Sequence, residues 1–446
     1  MEATDTMLDG PYDVAVIGGG PGGSTAAALL ARRGYRVVAL EKAHHPRFHI
    51  GESLLPMNLP LFERLGVLEQ VQALGVFKPG ADFEADNESG YNTYAFDRAI
   101  GDSPPHAYQV WRQDFDKMLF EHAARCGAQT REGHEVVGVE QSGPRESRLE
   151  VKVDDGRRYQ LLARYVIDAS GRDALLATRR RLRRKNARHQ SAAIFGHFRS
   201  ATCRAGADAG NISIYTFAHG WMWMIPLPDG VMSVGAVCRP AYLKQRKGSP
   251  LAFLLETLKL NPALWQRLEH AELIDQEVRV TGNYSYDATQ MGGPGWVMVG
   301  DAFAFLDPVF SSGVYLAMSG AEQAAEMVDQ ALREPSRERA LLRQLERRQR
   351  KGMARFSFFI ERFNGPVMRQ MFRAPRNTWQ LEQGVISMLA GDLFDTPRVL
   401  WRLQVFKLVY AICALRDARR WWSERRYRRA QAKLQFAEAG SPLDRT

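Results

Sequence analysis

The chain has 446 residues, 45% of them hydrophobic and 25% charged, with a net charge of +10 and a pI near 9.5. Such length and composition suit an enzyme with a large core and exclude a disordered or fibrous chain. Four dispersed cysteines, Cys126, Cys203, Cys238 and Cys413, form no C-x-x-C pair, so neither a metal site nor a disulfide framework is expected. No apolar run reaches membrane-spanning length and the N-terminus lacks a secretory pattern, so a cytoplasmic location is expected.

Asp13–Glu41, DVAVIGGGPGGSTAAALLARRGYRVVALE, reads as a buried strand, a glycine-rich turn, a helix and a second strand. Gly18, Gly20 and Gly23 fit G-x-G-x-x-G: a tight turn, an approach for pyrophosphate, and close helix packing. The phosphates would sit on the helix N-terminus, and Glu41 ends the second strand, where a carboxylate can accept hydrogen bonds from ribose hydroxyls. This is a dinucleotide grip.

Lys42–Pro56 (KAHHPRFHIGESLLP) reads as a loop beside the cofactor, and Pro60–Leu74 as a short helical segment. Polar, aromatic sequence runs from Gly75 to about Pro105, and a helix begins near Val110 and reaches Cys126. Strands are expected up to Val153, and Tyr165–Ser170 is another buried strand. From about Ser191 to Tyr286, runs such as Asn211–Phe217 and Val231–Val237 alternate with turns, which reads as an inserted sheet. Trp296–Gly300 is a last strand, followed by a helix from Val314 to about Leu332 and then a helical, basic region broken near Pro366, Pro375 and Pro397.

The positive charge is clustered in Arg179–Lys185 (RRRLRRK) and in Arg416–Arg429, which has seven arginines against Asp417 and Glu424. Without a nucleic-acid module no nucleic-acid partner is expected; an acidic protein or anionic lipid remains open. Leu403–Leu415, with Trp401, Trp421 and Trp422 nearby, reads first as a core helix of a C-terminal cap. Peripheral membrane contact through an interfacial helix is the lesser alternative.

Three further pieces separate a flavin from a nicotinamide. Asp168–Arg172 (DASGR) and Gly300–Asp301–Ala302 follow strands far from the first grip, with Arg112 in V-x-R-x-x-F-D-x-x-L lying between that grip and DASGR. The set resembles the FAD motifs of the flavoprotein monooxygenase superfamily, which implies Asp301 near the ribityl and pyrophosphate and Arg112 beside the flavin. Within it, Gly220–Pro226 (GWMWMIP) fits G-W-x-W-x-I-P, Phe305, Pro308, Ser311 and Gly313 fit F-x-x-P-x-x-S-x-G, and Lys78 lies in F-K-P-G. These resemble the flavin-dependent halogenases, closely from residue 10 to about 330 and loosely beyond.

The resemblance implies an α/β fold: a Rossmann-like FAD-binding domain at 10–190 and 287–335, an inserted antiparallel substrate sheet at 191–286, and a helical C-terminal cap at 336–446. It implies FAD used as FADH2, with O2 and chloride or bromide as co-substrates and hypohalous acid as the diffusing oxidant. Ser312 and Gly313, at a helix start, would suit the halide. Lys78 would be catalytic, and Trp221, Trp223 and Pro226 would wall the passage leading to it. No second glycine triplet marks a nicotinamide site, so a separate flavin reductase is the expected partner.

Halogenases of free tryptophan carry a glutamate where this chain has Phe310. The match is to the FSSG form, which implies a phenolic or pyrrolic substrate, free or on an acyl carrier protein docked by the arginine clusters. No general base is assigned; Glu52 and Ser53 lie nearer the flavin, and Asp82 is a positional candidate only. Two other activities compete: aromatic hydroxylation on the same FAD grip, and reduction of a lipid or polyprenyl double bond.

Overall fold

The computed structural model describes residues 8–143, 145–186, 191–274, 277–282, 285–416 and 425–427. Trp421, Trp422 and most of the Arg416–Arg429 cluster lie outside them. The chain divides into two units: Met1–Phe77, Ala107–Arg184 and Asp287–Met353 in the first, and Lys78–His106, Lys185–Tyr286 and Ala354–Thr446 in the second.

The first unit is built on a parallel sheet. Its strands run in the order Trp296–Met298, Arg158–Asp168, Leu8–Ile17, Val37–Leu40, Gln129–Arg131. Arg158–Asp168 shows how sequence pattern follows environment. Its first half alternates buried and partly exposed residues, where Glu146–Val153 pairs with it antiparallel. From Tyr165 to Asp168 it is buried throughout, as a strand covered on both faces must be. The helix Pro21–Arg32 packs on Arg112–Arg125 and on Gly313–Arg333.

Register decides what meets at the carboxyl edge. Ile17 pairs with both Leu40 and Asp168, and Asp168 with Met298. Gly18 N–H then donates to Leu40 O (2.8 Å), Ala169 N–H to Ile17 O (2.8 Å) and Val299 N–H to Asp168 O (2.9 Å). Three motifs remote in sequence thus leave the sheet side by side.

The second unit holds a sheet ordered Glu272–Leu273, Ala192–Arg199, Val231–Cys238, Gly220–Pro226, Ile212–Phe217, Gly80–Glu84, Tyr91–Ala95. Every neighbouring pair is antiparallel except Ile212–Phe217 with Gly80–Glu84, which is parallel. The sheet therefore reaches beyond the expected 191–286 to recruit 80–95, a stretch whose strands the sequence did not announce. Residues 78–106 and the described residues from 354 onward group with this sheet, where the sequence pointed to the first unit and a separate cap. Aromatic packing accounts for that: Phe83 lies 5.8 Å from Phe363 and 4.8 Å from Phe372, centroid to centroid.

Helices Pro250–Leu258 and Pro262–Gln266, also unannounced, start with proline behind Ser249 and Asn261, whose side chains accept the hydrogen bonds of Ala252 and Leu264 N–H. Phe253, Leu254, Leu258 and Leu264 share a core with Met222, Met224 and Val234. The expected breaks at Pro366 and Pro397 are helix starts, at Pro366–Arg373 and Pro397–Arg416. No described helix is long and apolar enough to cross a membrane.

Candidate active site

The glycine turn leaves Ile17 and enters a helix whose N-cap is Gly20, with Pro21 in the first turn, no acidic residue there and no side-chain cap. A helix end in that state favours an anion. The three glycines differ in what demands them. Gly18 has φ +103°, and a Cβ there would come within 2.4 Å of Ala169 O. A Cβ on Gly23 would lie 1.9 Å from Gly18 O. At Gly20 it would meet nothing closer than an Arg47 nitrogen at 3.7 Å. Folding thus requires Gly18 and Gly23, whereas the open approach at Gly20 fits a pyrophosphate.

Glu41 is buried and accepts from Gly19 N–H (2.8 Å), Ala43 N–H (3.0 Å) and Arg47 (3.2 Å). Arg47 also reaches Asp116 at 3.3 Å. Arg112 grips Asp116 with two nitrogens, at 2.8 and 3.0 Å, and donates to Ile50 O at 2.7 Å. Asp116 is fully buried, and although burial raises its pKa, the arginines hold the carboxyl below its ordinary value. Arg47 and Asp116 escaped the sequence reading, since nothing local in HHPRFH or RQDFDK links them across 69 residues.

Asp301 lies three residues past the Trp296–Met298 strand, in the middle of a short turn, Gly300–Ala302. Desolvation pushes its carboxyl up to about 7 against the opposing pull of Arg112 and Arg172. Asp168 is spent on the backbone instead: Ser170 N–H (2.9 Å) and Leu176 N–H (2.7 Å) donate to its carboxylate. Phe310 is buried, Ser311 adopts φ +55°, and Ser312 N-caps Gly313–Arg333. That first turn contains no acid, and a Cβ on Gly313 would meet nothing within 4 Å.

Lys78, Trp221, Trp223 and Pro226 belong to the second unit. Lys78 is 1% exposed, with its ammonium 5.3 Å from the centre of the Phe96 ring. Burial alone lowers its pKa from 10.5 to about 7. Gly220–Pro226 is buried along its length, Met222 and Met224 entering the helix-covered core. Strand alternation turns Trp221 and Trp223 to the other face, their rings 5.7 Å apart. The Trp223 indole N–H donates to Ser233 (3.1 Å), and Phe83, Ile214, Trp223, Gly235 and Phe195 form one row across the sheet. Asp82 lies buried among Asn211 (2.9 Å), Thr93 (3.1 Å) and Arg204 (3.2 Å), its carboxyl pushed up to about 6 by desolvation against the pull of Arg204.

The basic cluster at 179–185 is largely committed inside the first unit. Arg179 donates to Val137 O (2.6 Å), Arg180 lies over the Trp296 ring and Arg184 pairs with Asp287. Among the described residues no group of three or more His, Cys, Asp or Glu side chains could hold a metal ion.

A parallel sheet with an anion-ready glycine turn and a buried carboxylate at its carboxyl edge defines a dinucleotide-binding protein. A family model described as an FAD binding domain matches residues 11–357, which makes the dinucleotide FAD. A tryptophan 2-halogenase of Chondromyces crocatus is 34% identical over 72% of this chain, which spans 62% of that protein's length. A 1H-pyrrole-2-carbonyl-[peptidyl-carrier protein] chlorinase of Pseudomonas fluorescens is 28% identical over 88% of this chain and 92% of its own. The solved structure of the myxobacterial chondrochloren halogenase CndH is 30% identical, covers 89% of this chain and 97% of that one, and has a TM-score of 0.75. The chain belongs to the flavin-dependent halogenases, a family of FAD-using oxidoreductases.

Proposed function

We propose that this protein halogenates an electron-rich aromatic ring, a phenol or a pyrrole, with Lys78 delivering the halogen. FAD, bound and reduced, supplies the chemistry that uses O2 to oxidise chloride or bromide to hypohalous acid. The glycine turn, Glu41 and Arg112 hold the cofactor, with Asp301 toward its ribityl and pyrophosphate. The backbone N–H groups around Ser312 and Gly313 take the halide. A separate reductase supplies the reduced flavin.

Hypohalous acid is neutral and unselective, so the chain must hold it. Lys78 does so as an ammonium donating a hydrogen bond, or as an amine whose nitrogen takes the halogen while water leaves. A lysine with a pKa near 7 has both forms at hand. Trp221, Trp223 and Pro226 wall the passage to Lys78. The observation that carries the reading is the burial of Lys78, 1% exposed with its ammonium 5.3 Å from the centre of the Phe96 ring.

Phe310 in place of a carboxylate favours substrates activated enough to react without one, free or carrier-bound. Arg179, Arg180 and Arg184 have partners in the first unit yet stay exposed, so carrier docking can draw on this cluster as well as on the arginines beyond Arg416.

The test is mass spectrometry of aerobic mixtures of the holoprotein, FAD, an unrelated flavin reductase, NADH and a panel of phenols and pyrroles, with and without bromide. A bromine isotope doublet that needs bromide and vanishes in Lys78→Ala is the expected result. A product heavier by one oxygen, whether or not bromide is present, overturns it in favour of hydroxylation.

A further inference from the structure

The helix Pro397–Arg416 is apolar on both sides. Val399, Leu403, Phe406, Tyr410 and Ala414 are buried, with Phe406 5.2 Å from Phe359 and Tyr410 5.7 Å from Phe358. The opposite side carries Trp401, Leu408, Ile412 and Leu415, all exposed; Leu408 is 60% and Leu415 73% accessible. Spacings of seven, four and three residues put these four on one stripe about 21 Å long at 1.5 Å per residue. Soluble helices turn a polar side outward, and this one does not.

Charge on the helix itself has one sign, with Asp395 and Asp417 flanking its ends. The helix holds Arg398, Arg402, Lys407 and Arg416 and no acidic residue. Arg398 is paired with Asp102, but the recorded partners of Arg402 are neutral: Trp379 O, Arg398 O and the Gln380 side chain. Arg416 at its end is exposed, as are Arg425 and Arg426 further along the chain. Arg402 also ties the stripe to Trp379, which is 67% exposed and held at φ +54°, with Gln380 at φ +59°. Two successive non-glycine residues in the left-handed region are unfavourable, and here they hold an indole in solvent.

We propose that this face binds the surface of an anionic lipid bilayer, with Trp401, Leu408, Ile412 and Leu415 entering the headgroup boundary and the arginines meeting lipid phosphates. An apolar stripe interrupted only by Gln404, with exposed indoles and flanking arginines, is the chemistry such a boundary selects. An acidic protein would satisfy the arginines but leave the length of the stripe unexplained. The face lies outside the residues assigned above to FAD, halide and Lys78, so the proposal does not rest on halogenation.

The FAD-loaded full-length protein is sedimented with phosphatidylcholine vesicles with and without phosphatidylglycerol. Binding is expected only with the anionic lipid and should weaken with added salt. Leu408→Glu with Ile412→Glu should lower it at least about tenfold, since each substitution replaces an aliphatic group that enters the bilayer with a carboxylate the anionic surface repels. Both positions are exposed, so an unchanged melting curve accompanies the loss. Equal binding to both vesicle types, or binding unaffected by the double variant, overturns the proposal. So does a dimer in lipid-free solution that the same variant dissolves, or lipid-free retention on an acidic carrier protein that it abolishes.

Discussion

Arg47 stands between two buried carboxylates, 3.2 Å from Glu41 and 3.3 Å from Asp116, and so ties the end of the second strand to the helix that carries Arg112. In the proposed FAD site this is the link between the ribose-facing acid and the flavin-facing arginine. Arg47→Ala should weaken FAD binding by roughly tenfold and lower stability by about 1–3 kcal/mol, since charged hydrogen bonds to buried groups are lost. Titration of the apoprotein with FAD, followed by quenching of flavin fluorescence, checks the first figure. An unchanged affinity would show that the link is only structural.

The three glycines separate folding from binding. Gly20→Ala places its Cβ in open space, so the apoprotein should melt as wild type does while FAD affinity drops at least about tenfold, from loss of close backbone approach. Gly23→Ala meets backbone at 1.9 Å and should fail to yield a stable apoprotein. Melting curves with and without FAD distinguish the two. Equal apoprotein stabilities for these variants would contradict the assignment.

Lys78 makes stability depend on pH. Folded Lys78 releases its proton near pH 7, while an unfolded lysine keeps one to about 10.5. Between those values the unfolded chain binds more protons, so this contribution to stability rises with pH; below 7 the penalty is fully present. Lys78→Met removes it. That variant should be more stable than wild type at pH 7, by an amount on the order of a few kcal/mol, with the gap closing toward pH 10.5. A gap that does not change with pH would refute burial as the cause.

Trp223 depends on a glycine one strand away. A Cβ on Gly235 would lie 2.5 Å from the Trp223 ring and 2.4 Å from Phe195 Cβ. Gly235→Val should displace the indole and cost about 1–3 kcal/mol, as overpacking does. If Trp223 walls the passage, the same variant should release hypohalous acid into solution, read by a chloride-dependent colour reaction with a thiol-free trap. Retention of full halogenation by Gly235→Val would remove Trp223 from the proposed function.

The glycine turn, the buried strands around it and the helix Gly313–Arg333 were legible because each rests on short-range chemistry: glycine conformations, continuous apolar runs and helical periodicity. Gly80–Glu84 and Tyr91–Ala95 pair with each other but were missed because Asn92 and Thr93 are polar and because Gly80–Glu84 takes its other neighbour, Ile212–Phe217, from a part of the chain remote in sequence. Pro250–Leu258 was hidden within an apolar run that has no clear period. The helix Pro397–Arg416 was read as a core helix, which holds for one side only. Arg47 could not be found from the sequence, since its value lies in two carboxylates that folding brings to it.

The two units interleave, the chain passing from one to the other after residues 77, 106, 184, 286 and 353. During synthesis the glycine turn leaves the ribosome some tens of seconds before Asp301 and Gly313, at the usual pace of about 5–20 residues per second. The first unit therefore spends that interval as a half-built sheet whose Trp296–Met298 strand has yet to arrive. Cofactor loading becomes a late event, and a deletion anywhere between 287 and 353 should yield a chain that accumulates without FAD, however intact its first forty residues.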